Sequence, residues 1–198
     1  MAVGGGRLWA RRLGWLAFAV IVAFVVLWVG TLVHECGHAL VAVAFGVRVE
    51  RLNVLGLDLY PALRFDYSPG YFGRVWFDGS LPDAADGWMR AAGSLSTLAV
   101  ALVSQAVLWA RPPRRRWLLL ALVGFCFSWL DIFWHTALAL LGRRSMMYAE
   151  AYRALVALGA PAWLTAGAIF GVTAALLAAT IVRLRRLARG RRASVAQE

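Results

Sequence analysis

Acid is scarce in this sequence. Aspartate and glutamate together number 10 among 198 residues, lysine and arginine number 21, and the formal net charge is +11. Only 16% of the residues are charged and 62% are hydrophobic, with a mean hydropathy of +0.68. An ordinary soluble domain carries roughly 25% charged residues, so this balance argues against one. The cation excess would suit nucleic acid if it were spread over a surface. It is arginine clustered beside apolar segments, which is the placement of topology anchors and argues against nucleic-acid binding. Cysteine is equally sparse. Cys36 and Cys126 both fall in apolar stretches, which excludes a disulfide framework and a paired Cys-x-x-Cys zinc motif.

What the chain has instead is long apolar runs. Four stand out, at Leu13–Gly46, Gly87–Ala110, Trp117–Gly142 and Ala160–Leu184. Each exceeds the roughly 18 residues that mark a spanning helix. The first is too long for one upright span and too short for two with a turn, so it reads as one long helix with Gly30 as a candidate bend. Arg7, Arg11 and Arg12 precede it without a small-residue cleavage pattern after it, as in an uncleaved anchor. Between the first two runs, Val47, Val49, Leu52 and Val54 alternate with polar residues. Further on, residues 62–67 and 74–78 flank a Ser68-Pro69-Gly70 turn signal, so this region reads as a small β-sheet or hairpin at the membrane face.

The expected fold is an all-α polytopic membrane protein with about four transmembrane helices and a β-like insert between the first two. A basic N-terminal flank (1–12) leads into a single membrane-embedded domain (13–184, insert 47–86), followed by a basic tail (185–198). Four spans put the N-terminal arginines, Arg111 to Arg116 and the arginine-rich tail on one side of a cell membrane, and the positive-inside rule makes that side cytoplasmic.

The first run contains His34-Glu35-Cys36-Gly37-His38, an H-E-x-x-H motif. On a helix, histidines at i and i+4 share a face and can reach one Zn²⁺, with Glu35 placed to act as general base toward an activated water. An ionised residue deep in a membrane costs on the order of 2.5–3.5 kcal/mol, so it normally has a partner and a task. Glu35 is the only acid before Glu50. Asp131 is the only acid between Asp86 and Glu150, and the one remaining histidine, His135, follows it by one helical turn. A catalytic zinc usually has three protein ligands and one open position. Asp131 is the natural third ligand. His135 is the alternative, either as a ligand or as a residue that orients one or stabilises an oxyanion. Cys36 points away from the face shared by the two histidines.

Depth supports the grouping. At 1.5 Å per residue, His38 lies about 12 Å and His34 about 18 Å from the end of the first run at Gly46. Asp131 lies roughly 16 Å from the end of the third run at Gly142, measured from the same membrane face. Ala91-Ala92-Gly93-Ser94 falls near that level, with side chains small enough to let helices approach.

These residues resemble the site-2 protease family of intramembrane zinc metallopeptidases. The resemblance rests on His34-Glu35-Cys36-Gly37-His38-Ala39-Leu40, on Gly46-Val47-Arg48-Val49 leading into a β-like segment, on Ala92-Gly93, and on Leu130-Asp131, and it covers roughly residues 30–140. It implies zinc ligation by His34, His38 and Asp131, with Glu35 as base and acid in hydrolysis of a peptide bond in a membrane-embedded or membrane-proximal protein substrate. The chain departs from the family pattern in having Ser94 where a proline is usual and Ile132 where a glycine usually follows the aspartate. Better-known members also place the β-like segment on the cytosolic side, opposite to the arginine count. Two other functions fit the same residues: a zinc membrane hydrolase of a non-peptide amide or ester, and a non-catalytic membrane scaffold that retains the fold.

Overall fold

A computed structural model describes residues 4–67, 72–142 and 150–195. The chain is mostly helical, with one small antiparallel sheet. Among the described residues, four segments are helical, long and apolar enough to cross a membrane: Trp9–Ala44, Asp83–Ala110, Arg116–Leu140 and Ala162–Gly190. The first apolar run is a single unbroken helix, α1 (Gly4–Ala44), with no interruption at Gly30. It ends where Gly46 takes φ +81°. There Val47 N–H donates to Ala42 O at 3.0 Å and Gly46 N–H to Val43 O at 2.9 Å. A glycine in the left-handed region is what this kind of helix stop requires, and it delivers the chain straight into a strand.

Strands β1 (Arg48–Val54), β2 (Leu57–Tyr60), β3 (Arg64–Phe65) and β4 (Gly73–Asp78) form the sheet in the order β3-β2-β1-β4. Leu55 and Gly56 both have positive φ, 51° and 82°. This type I′ geometry matches strand twist and folds β2 directly back on β1, with Val54 opposite Leu57. The hairpin occupies one edge of β1 and leaves the other to β4, which sets Leu52 against Val75 and Val54 against Gly73. The two segments flanking Ser68-Pro69-Gly70 are therefore not partners of each other. They form the opposite edges of the sheet, and the turn tripeptide lies outside the described residues.

A buried carboxylate clasps the sheet. Asp58 accepts from Arg51 Nε at 2.8 Å, Asn53 Nδ2 at 2.7 Å, and Arg64 Nε and Nη2 at 3.3 Å each. Burial alone would push the Asp58 carboxyl up, but the bonds from Arg51 and Asn53 outweigh it and hold the group below its ordinary range.

Helix α2 (Asp83–Ala110) begins before the apolar run itself, because Asp83 and Asp86 suit the positive end of a helix. Ala91, Ala92, Gly93, Ser94 and Thr97 are all buried, so α2 is enclosed at this level, and these small side chains let α1 come close. A Cβ on Gly37 would lie 2.6 Å from Ala92 O.

The third apolar run is not one regular helix. It divides into α3 (Arg116–Cys126) and α4 (Leu130–Leu140) at Phe127-Ser128-Trp129. There Phe127, Ser128 and Leu130 N–H groups reach back three residues, at 3.0, 3.1 and 2.9 Å, to Gly124, Phe125 and Phe127 carbonyls. This tightening is a 3₁₀ turn, which changes the rotation of everything after it and puts Asp131 in the first turn of a new helix. Trp129 packs into a core with Ala101 and Leu176. A short helix, α5 (Glu150–Ala157), turns Ala151 and Ala154 inward, and Leu158 sits over Gly87. Helix α6 (Ala162–Val195) continues through the arginine-rich tail. Arg183 on it donates to Leu108 O and Trp109 O at 3.0 and 3.1 Å, satisfying carbonyls that α2 leaves open at its end.

Candidate metal centre

His34, Glu35 and His38 share about one turn of α1, and all three are buried, with 9%, 7% and 7% exposure. The i, i+4 spacing brings the two imidazole centroids to 4.7 Å and their Nε2 atoms to 3.0 Å. Gly93 of α2 closes on this pair. A Cβ there would lie 2.5 Å from His34 Nε2 and nearer still to His38 Nε2. The helix backbone does not require glycine at that position, but the two ring nitrogens do.

The outer partners determine where the histidine protons sit. His38 Nδ1 lies 2.6 Å from the carbonyl oxygen of Met89, which can only accept, so Nδ1 carries the hydrogen. His34 Nδ1 lies 3.0 Å from Asp131 Oδ2 and donates to that carboxylate. When both rings are neutral, with their hydrogens on Nδ1, both Nε2 atoms present lone pairs to each other at 3.0 Å. Two lone pairs so close repel unless a proton or a metal ion is bound at them. Two imidazole nitrogens on one tetrahedral zinc, each at about 2.0–2.1 Å, are roughly 3.3 Å apart. Donor type, tautomer and spacing therefore fit zinc.

Asp131 meets the pair from the Nδ1 side of His34. Its Oδ2 also lies 3.0 Å from Thr97 Oγ1, whose single proton is shared with Ser94 O at 2.9 Å. Its other oxygen, Oδ1, is 3.9 Å from His135 Nδ1, beyond hydrogen-bonding length. That Nδ1 is buried without a hydrogen-bond partner among the described residues, and the His135 ring stands edge-to-face to His34 with centroids 6.1 Å apart. The three histidines and Asp131 thus form one constellation, although among the described residues no three His, Cys, Asp or Glu side chains converge as a complete ligand set.

Glu35 reaches toward the sheet. A Cβ on Gly73 of β4 would collide with Glu35 Oε1 and lie 2.7 Å from Thr31 Cγ2, so only glycine lets the strand cross above the carboxylate. A cavity of about 1360 Å³ opens along these groups, walled by α1, β4, α2 and the α3–α4 pair. Cys36 does not line it.

Sequence reasoning missed three contributors: the Met89 carbonyl, Thr97 and Gly73. Thr97 left a usable signal, a polar residue four positions after Gly93 in an apolar run, on the same helix face. A backbone carbonyl leaves none. No protein-family model, no curated protein and no solved structure matches the chain.

Proposed function

We infer that this chain is a zinc-dependent peptidase embedded in a cell membrane, hydrolysing a peptide bond of a substrate held in or at the bilayer. Four helices of sufficient length and apolarity support the membrane setting. The reading is carried by the pair of imidazole lone pairs facing each other at 3.0 Å, beside a buried glutamate and on the wall of a large cavity. His34 and His38 are the first two zinc ligands. Zinc, when bound, supplies a Lewis acid for a scissile carbonyl and lowers the pKa of water toward about 7. Glu35, adjacent in sequence to His34, takes the proton of the attacking water and returns it to the leaving amine.

Two features favour a polypeptide over a small amide or ester. The cavity, at about 1360 Å³, exceeds the roughly 300–1,000 Å³ of small-molecule sites. Its wall also includes β4, an edge strand whose outer backbone groups can pair with an extended segment beside Glu35.

The test is metal analysis and cleavage of a panel of transmembrane peptides by the purified full chain in nanodiscs. Wild type is expected to hold one zinc per chain. Glu35→Gln should keep that zinc and lose about 10²–10⁴-fold in cleavage rate. Wild type without zinc, or a fully active Glu35→Gln variant, overturns the reading.

A further inference from the structure

A histidine pair is an incomplete catalytic ligand set, and the position of Asp131 bears on what completes it. Asp131 Oδ2 takes the Nδ1–H of His34 and lies beside Thr97, while the metal-facing nitrogens of the pair are the two Nε2 atoms on the opposite side of the rings, against Gly93. A carboxylate that accepts from the outer nitrogen of a histidine fixes its tautomer and its ring plane and raises its basicity as a ligand. A carboxylate so placed is not itself available to the metal. His135 differs. It is one turn beyond Asp131 on the same face of α4, lines the same cavity, stands edge-to-face to His34 and has a buried Nδ1 without a hydrogen-bond partner among the described residues. Asp131 Oδ1 lies 3.9 Å from that nitrogen.

We propose that Asp131 is a positioning residue and that His135 is the third protein ligand of the metal. This rests on the zinc reading above. All three histidines then follow one rule, with Nδ1–H on an oxygen and Nε2 for the metal. His34 donates to Asp131 Oδ2, His38 to Met89 O, and His135, once its Nε2 is engaged, to Asp131 Oδ1. One carboxylate has acceptor capacity for both side-chain donors. The 3₁₀ turn at 127–129 is what sets Asp131 at the outer side of His34 and carries His135 to the cavity.

The test uses Co²⁺ as a spectroscopic probe on the purified full chain in a Cys36→Ser, Cys126→Ala background. Cysteine is introduced singly at the two positions, because a thiolate in the coordination sphere produces a thiolate-to-cobalt charge-transfer band and a thiolate outside it does not. His135→Cys is expected to show the band and Asp131→Cys to lack it. Asp131→Asn, which retains an acceptor for His34, should bind one Co²⁺ with the visible ligand-field bands of the background protein and an affinity lower by about 10–100-fold. His135→Ala should change those ligand-field bands. A band at Asp131→Cys, or none at His135→Cys, overturns the assignment. If a cysteine variant fails to fold, the ligand-field bands of Asp131→Asn and His135→Ala decide by the same logic. A background protein that binds neither Co²⁺ nor Zn²⁺ removes the zinc reading itself, an outcome separate from these.

Discussion

Two glycines separate what a side chain does at the site from what it does to a helix. Gly93 and Gly30 both lie inside long apolar helices, where glycine costs roughly 0.5–1 kcal/mol relative to alanine. A Cβ on Gly30 meets nothing within 4 Å, whereas a Cβ on Gly93 runs into both Nε2 atoms. Gly30→Ala is therefore expected to leave zinc content unchanged and hold or slightly raise thermal stability. Gly93→Ala should cut zinc stoichiometry severely while the protein still elutes as a folded particle. Metal analysis and thermal unfolding of the two variants side by side check this, and equal zinc in both would show that Gly93 does not guard the pair. At this scale the motif residues were legible because ionisable groups are rare in apolar runs and each one stands out. Counting residues along helices also brought Asp131 to the level of the histidines, within 3.0 Å of His34 in the structure. The count gives height along a helix and not rotation about it, so the atom that Asp131 meets was not legible.

Elements were legible where hydrophobic length or alternation is strong, and illegible where tertiary packing decides. The four apolar runs appear as helical segments, the third divided into α3 and α4, and the alternation from Val47 to Val54 appears as β1. The break at Phe127-Ser128-Trp129 carries no glycine or proline to announce it, and Trp129 is held there by Ala101 and Leu176, which are remote in the chain. The partners of β4 depended on a type I′ turn at Leu55-Gly56, where leucine in the first position hides the signal. The sheet should respond to acid independently of the helices. Because Asp58 is held below its ordinary range, its contribution is complete above the unfolded carboxylate value of about 3.9 and is lost as pH falls through the lower folded value. Hydrogen-exchange protection of β1 and β2 amides, corrected for intrinsic exchange, should hold from pH 7 to 5 and fall below about pH 4. Asp58→Asn should lower protection at neutral pH and flatten the acid response. An unchanged acid response in that variant would mean that Asp58 is not the titrating clasp.

For the whole molecule, the number of crossings and the direction of insertion are separate questions, and one labelling experiment answers both. If each apolar segment crosses once, α1 carries the chain from the basic N-terminal flank to the sheet, α2 returns it, α3 with α4 crosses again, and α6 ends on the face where α1 began. Single cysteines at Ala10, Ser80 and Ala188, in a background without Cys36 and Cys126, sample the two faces, since all three positions are exposed. With a membrane-impermeant maleimide on intact cells, Ala10 and Ala188 are expected to behave alike and Ser80 to behave oppositely. Labelling of Ser80 together with Ala188 would contradict three crossings between them, and labelling of only one of Ala10 and Ala188 would contradict an even total. Direction then follows from which group reacts. The arginine clusters at both termini and in the 111–116 connection favour the cytoplasm for their face, so Ser80 should be the one labelled from outside. A cytoplasmic Ser80 would leave the crossings intact and mean that the folding of the sheet, not the arginine count, sets orientation. It would also decide which compartment supplies substrate, because β4 and Glu35 lie toward the sheet face of the cavity.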